Sequence, residues 1–166
     1  MTKLRGSFTA LVTPMKSNGD VDLEGLKTLV KQQLDGGITG LLFLGTTAET
    51  PTLDEDEEQK MIEAALPVVR QFEKENNKKI PVIIGAGSNN TRDAVRYCER
   101  AKANGADAAL VVTPYYNKPS NEGIYQHFAA VSKVGIPIIV YNIQGRTGKN
   151  IETSTLEKIA DLPNIV

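Results

Sequence analysis

Short apolar runs recur through this sequence at Phe8–Val12, Gly40–Leu44, Ile80–Ile84, Ala108–Val112 and Ile136–Tyr141. None alternates polar and apolar residues with a period of two. Runs of this kind fit strands buried on both faces of a parallel sheet. Their spacing, about 28 to 40 residues from one run to the next, is that of one strand–helix unit.

The intervening segments carry helical periodicity. Asp22–Gly36 places Leu23, Leu26, Val30 and Leu34 on one stripe, and Gly36-Gly37 ends it. A second helix is expected to open at Asp54, with Glu57 at capping-box spacing and Met61, Ala65 and Val68 facing inward. Pro67 within it predicts a kink or local break. Further helices are expected from about Asn90 to Asn104, from about Ser120 to Gly135, and from about Ser154 with Glu157 at its third position. Asn164-Ile165-Val166 reads as the start of a sixth strand. No linker or low-complexity stretch interrupts the pattern, so residues 1–166 are expected to form one domain.

Strict strand–helix alternation suits either a doubly wound open sheet or a TIM barrel. An open sheet commonly announces a nucleotide site by a glycine-rich turn after its first strand. Here Thr13-Pro14-Met15 stands at that point, and Gly85-Ala86-Gly87 comes only after the third. Polar residues recur instead after every strand, as where loops at one barrel face share a site. The expected fold is therefore α/β: a partial TIM barrel of five βα units with a parallel sheet, plus the start of a sixth strand.

Charge narrows the partners. Nineteen basic and 20 acidic residues leave a net charge of −1, scattered along the chain. That balance offers no footprint for nucleic acid and no polybasic membrane patch. No apolar stretch reaches secretory or membrane-spanning length, so a cytoplasmic protein is expected. Cys98, the one cysteine, cannot form an internal disulfide and reads as a small buried apolar residue. His127, the one histidine, reads as a surface or packing residue. Neither metal nor cofactor is expected, because the acidic residues lie mostly on helices and have no histidine or cysteine cluster beside them.

Four segments that follow strands carry the chemistry: Gly45-Thr46-Thr47-Ala48-Glu49, Gly85-Ala86-Gly87-Ser88-Asn89, Thr113-Pro114-Tyr115-Tyr116-Asn117 and Tyr141-Asn142-Ile143-Gln144-Gly145-Arg146-Thr147-Gly148. They offer paired hydroxyls with backbone N–H groups, phenols and a guanidinium, a set suited to a small carboxylate. Thr46 and Thr47 have donors for one carboxylate, and Arg146 suits bidentate capture of a second. Tyr116 and Tyr141 could pass a proton if brought within hydrogen-bond reach.

In order and spacing, Gly-Thr-Thr-x-Glu, Thr-Pro-Tyr-Tyr-Asn-Lys-Pro-Ser and Tyr-Asn-x-x-Gly-Arg-Thr-Gly resemble the dihydrodipicolinate synthase family. The opening Gly6-Ser7-Phe8-Thr9-Ala10-Leu11-Val12-Thr13-Pro14 matches it too. These pyruvate-dependent aldolases also include N-acetylneuraminate lyase. The resemblance covers essentially this whole chain but about five-eighths of a family member. It implies that a lysine forms a Schiff base with pyruvate, and that the resulting enamine adds to aspartate semialdehyde on the way to lysine and diaminopimelate. Catalytic roles then fall on Thr47, Tyr116 and Tyr141, with Thr47 joining the two tyrosines in a proton relay and Tyr116 reaching in from a neighbouring subunit. Thr46 and Thr47 hold pyruvate's carboxylate, and Arg146 gathers that of the semialdehyde. Asn89, Asp93 and Tyr115 match positions that bind feedback lysine. Glu55 and Glu58 stand where lysine-sensitive members often carry histidine or other residues.

Three departures from the family pattern bear on function. Ala48 replaces a glycine, which costs about 1 kcal/mol if that residue needs positive φ. Gln144 replaces a proline and is expected to loosen the loop holding Arg146. The family's Schiff-base lysine would fall about three residues beyond Val166, and no lysine within the chain replaces it. Lys118 and Lys149 sit in loop contexts without the apolar surroundings that depress an amine pKa. The 166 residues alone are thus expected to be inactive, as part of an aldolase-type lyase whose lysine comes from a further portion of the same or another chain; the alternative is a non-catalytic, self-associating half-barrel that binds small carboxylates at most. A homodimer or larger homo-oligomer is expected in either case.

Overall fold

The computed structural model describes residues 4–166; the first three residues of the expected 1–166 domain lie outside the described residues. Strands β1 (Phe8–Ala10), β2 (Gly40–Phe43), β3 (Val82–Gly85), β4 (Ala108–Val112) and β5 (Ile138–Tyr141) form a parallel sheet in chain order. The chain divides into two compact units, one reaching Ile83 and the other running from Ile84 to Val166, with the division inside β3.

In the first unit β1 pairs with β2, Phe8 opposite Gly40. The Phe8 ring lies where a side chain at position 40 would stand, which is why only glycine fits there. Helix α1 (Leu23–Asp35) starts where the Asp22 carboxylate accepts from Gly25 N, and it buries Leu26, Val30 and Leu34. It packs against α2 (Glu55–Asn76), which opens with the expected reciprocal capping box between Asp54 and Glu57.

Two expectations about α2 need correction. The helix runs through Pro67 without a break, because Pro67 lies on the exposed face, where water can satisfy the carbonyl it leaves unpaired. Its buried stripe follows Met61 and Ala65 with Val69, fully buried, while Val68 is half-buried. A step of four residues from Ala65 keeps the stripe in line, and Val68 falls off it.

In the second unit β4 pairs with β5 from Ala109↔Ile138 to Val112↔Tyr141. Helices α3 (Thr91–Ala103) and α4 (Asn121–Ser132) open on side-chain caps from Asn90 and Ser120 and pack on each other. A four-residue helix, α5 (Gln144–Thr147), was not anticipated, and α6 (Thr153–Ala160) starts one residue before the expected Ser154. Ile165 bridges to Ile138 in parallel, so the expected sixth strand begins where the sequence places it. Cys98 is fully buried, and burial pushes its thiol up to about 12. It is a packing residue, not a nucleophile. No helix among the described residues is long and apolar enough to cross a membrane.

Candidate functional site

Each sequence-predicted site residue follows the carboxyl end of a strand except Tyr141, which is the last residue of β5. In the first unit β2 ends as Leu44 takes φ 54°, and the chain enters a 3-10 turn at Thr46–Ala48. Thr46 and Thr47 are both exposed, and their hydroxyls have no hydrogen-bond partner among the described residues. They are free to take a ligand. Two threonines that the sequence reading did not single out support this turn. Buried Thr13 donates from Oγ1 to the Ala48 carbonyl at 2.7 Å, and Thr50 Oγ1 donates to the Gly45 carbonyl at 3.0 Å. A hydroxyl residue just after a strand was the available signal for Thr13.

Ala48 carries no strain. It is fully buried inside the 3-10 turn and does not have positive φ; the left-handed residue is Glu49, at φ 55°. The cost expected of an alanine there does not arise. Glu58 is buried in α2, whereas Glu55 is exposed at its first turn.

In the second unit the tyrosine segment follows β4. Asn117 N donates to the Tyr115 carbonyl at 2.8 Å, a tight turn centred on Tyr116 at φ 67°. Positive φ is costly for a bulky residue, and the Tyr116 side chain is 89 % exposed. Tyr115 is half-buried. Asn117 Nδ2 donates to the Asn89 carbonyl at 3.0 Å, tying the tyrosine segment to the segment after β3. The Asp93 carboxylate accepts from Asn90 Nδ2 at 2.8 Å and pairs with Arg96 at 3.2 Å.

Tyr141 closes β5, half-buried, and its carbonyl accepts from both the amide and the hydroxyl of buried Thr113, at 3.0 and 3.2 Å. Arg146 lies in α5, exposed and without an ion-pair partner among the described residues. Gln144, in place of proline, begins this helix, and its carbonyl accepts from Gly148 N at 2.8 Å. Thr147 is buried and donates from Oγ1 to the Ile143 and Lys149 carbonyls; Asn142 Nδ2 donates to Asn150 Oδ1 at 2.8 Å. The arginine is thereby mounted on a hydrogen-bonded turn. Among the described residues no group of three or more His, Cys, Asp or Glu side chains could hold a metal ion. None of the described lysines is buried, and none stands in a strand.

A parallel sheet alternating with helices, with hydroxyls, phenols and a guanidinium at or after its strand ends, defines part of a (βα) barrel. The chain belongs to the dihydrodipicolinate synthetase family, whose model matches residues 3–166. It is 49% identical over 164 residues to the 4-hydroxy-tetrahydrodipicolinate synthase of Protochlamydia amoebophila, covering 98% of this chain and 52% of that protein. The chloride-inhibited dihydrodipicolinate synthase of Acinetobacter baumannii, solved in complex with pyruvate, superposes with a TM-score of 0.89 at 42% identity, covering 99% of this chain and 54% of that one. A structure described as the first monomeric dihydrodipicolinate synthase variant superposes with a TM-score of 0.88 at 47% identity, covering 98% and 52%. The chain thus spans about half the length of the relatives it matches, less than the five-eighths expected from the resemblance.

Proposed function

We propose that these residues form the front half of a dihydrodipicolinate synthase-type barrel and bind pyruvate at its strand ends. Thr46 and Thr47 receive the keto acid's carboxylate, and Arg146 receives the carboxylate of aspartate semialdehyde. Thr47, Tyr116 and Tyr141 form the proton relay, in a pathway leading to lysine and diaminopimelate. The observation that carries this is the pair of exposed threonine hydroxyls without partners on a turn braced from below by Thr13. The pyruvate complex of the Acinetobacter relative supports the choice of ligand. Asn89, Asp93 and Tyr115 are proposed as a feedback-lysine site, where an incoming ammonium would share the Asp93 carboxylate with Asn90 and Arg96.

With no buried lysine among the described residues, the 166 residues alone fit a second reading equally: a carboxylate-binding, non-catalytic half-barrel. Both readings expect pyruvate to bind with a dissociation constant in the millimolar range, about −4 kcal/mol. An NMR titration should move the amides of Thr46 and Thr47, and Thr47→Val should weaken binding about tenfold. Shifts confined to residues away from the strand ends would overturn the assignment.

Self-association is expected with either reading. Strand β1 stands first in the sheet, with no strand on its outer edge among the described residues, and Val12 and Met15 beyond it are 50 % and 41 % exposed. An unpaired edge beside exposed apolar side chains is an invitation to pair with another chain. A two-fold dimer or larger assembly should appear in light scattering at micromolar concentration. A compact monomer that unfolds cooperatively would contradict it; the monomeric relative shows that the family tolerates that state.

A further inference from the structure

The arginine turn is held by a side chain from the tyrosine segment. Lys118 follows Tyr116 and Asn117 and lies in the left-handed region at φ 43°. That conformation is doubly unfavourable, because lysine has a Cβ and because Pro119 biases the residue before it toward extended backbone. Such strain persists only where surrounding contacts enforce it. The contact here is with Gly148, the residue that ends α5 at φ 67°. A Cβ placed on Gly148 would lie 2.7 Å from Lys118 Cε and 3.3 Å from its Nζ. The end of the lysine side chain therefore rests on the bare backbone of the helix cap, two residues from Arg146. Its ammonium has no ion-pair partner among the described residues and sits at the carboxyl end of α5, where a cation is favoured. Gly148 is needed twice over, for its positive φ and for the space Lys118 fills.

We propose that Lys118 is a positioning residue for Arg146. It braces the Gly148 cap so that the conformation of the tyrosine segment sets the orientation of the guanidinium. This rests on the proposal that Arg146 captures a substrate carboxylate, and it adds the device that holds the capture group in place. Lys118 itself touches no substrate in this arrangement.

Lys118→Gly is the informative variant, because glycine accepts φ 43° without strain and removes only the brace. The melting temperature of the full 166-residue chain should not fall. Backbone order parameters at Gly145–Gly148 should drop from the rigid value of about 0.85 to below about 0.6. The dissociation constant for succinate, used as a dicarboxylate probe, should rise about fivefold. Lys118→Arg, which keeps a long cationic stem, should restore both. Unchanged order parameters in Lys118→Gly would overturn the brace. A loosened turn in a chain that binds succinate in no variant would uphold the brace and overturn the carboxylate role of Arg146. A loosened turn with unchanged succinate affinity would overturn the positioning role.

Discussion

Treated with pyruvate and borohydride, the 166-residue chain should give no lysine adduct, and it should not condense pyruvate with aspartate semialdehyde. Schiff-base chemistry needs an amine that is neutral at working pH, and an amine reaches that state when desolvated or set beside another cation. No described lysine meets the first condition. Lys118 is exposed on a loop, Lys149 is half-buried, and the strands carry no lysine. Hydroxyls and a guanidinium can bind the keto acid and orient it, but they cannot form the enamine. Removing the nucleophile from a covalent catalyst costs on the order of 10⁶ in kcat, so residual turnover should vanish into background. Mass spectrometry after borohydride reduction would decide the matter. A reduced pyruvyl adduct mapped to any lysine of this chain would refute the expectation. The absence of an adduct, together with pyruvate-dependent shifts at Thr46 and Thr47, would separate binding from chemistry.

The fold was legible where burial imposes a period. Strands with both faces covered must be apolar throughout, and helices packed on them must repeat every three to four residues. Leu26, Val30 and Leu34 are buried as their spacing demands, and Asp54 with Glu57 makes the expected cap. Errors arose where a local signal stood in for a tertiary one. Pro67 predicts a kink or a local break, and the break is absent, because on a solvent-facing stripe its missing N–H costs little enough for the surrounding turns to hold the helix. Strand limits shifted at Pro81 and Pro137: β3 begins at Val82 and β5 at Ile138, while both prolines still accept ladder bonds through their carbonyls, from Leu41 N and Ala109 N. Short α5 has too few residues to show any period at all.

The candidate site was legible as chemistry rather than as geometry. Thr46, Thr47, Tyr116, Tyr141 and Arg146 stand out as polar groups at the ends of apolar runs; Tyr141 is the last residue of its strand and the other four lie beyond a strand end. Which of them would be strained was not legible. Whether Ala48 needs positive φ was left open by the sequence; Glu49 and Tyr116 bear it instead, because the 3-10 turn and the Asn117–Tyr115 hydrogen bond decide those angles. The supports were hidden for a similar reason. Thr13 reaches Ala48 across 35 residues and Lys118 reaches Gly148 across the gap between two loops, distances at which sequence carries no local mark.

Acid should unfold this protein partly through His127. The residue sits on α4 with 3 % of its surface exposed, its ring edge-on to Phe128 and Nδ1 2.9 Å from the hydroxyl of Thr91. Nε2 has no hydrogen-bond partner among the described residues. A protonated ring would carry two N–H donors and a charge into this apolar setting, one donor without an acceptor, so burial lowers the pKa from 6.5 to about 4. The sign follows from comparing the two states. Above pH 6.5 the ring is neutral folded and unfolded, and it contributes no pH dependence. Between pH 6.5 and about 4 the unfolded chain takes up a proton that the folded chain refuses, so stability falls as pH falls. At 1.36 kcal/mol per unit the full loss by about pH 4 is about 3 kcal/mol, a large share of the 5–15 kcal/mol typical of a domain. Carboxylates titrate in the same window, which makes the comparison with His127→Gln the proper measurement. Urea unfolding of both proteins at pH 7, 5.5 and 4.5 should show the variant less stable or equal at pH 7. It should lose less on acidification, by about 2 kcal/mol at pH 4.5. Parallel loss in both proteins would mean that His127 protonates freely in the fold and that its pocket admits water.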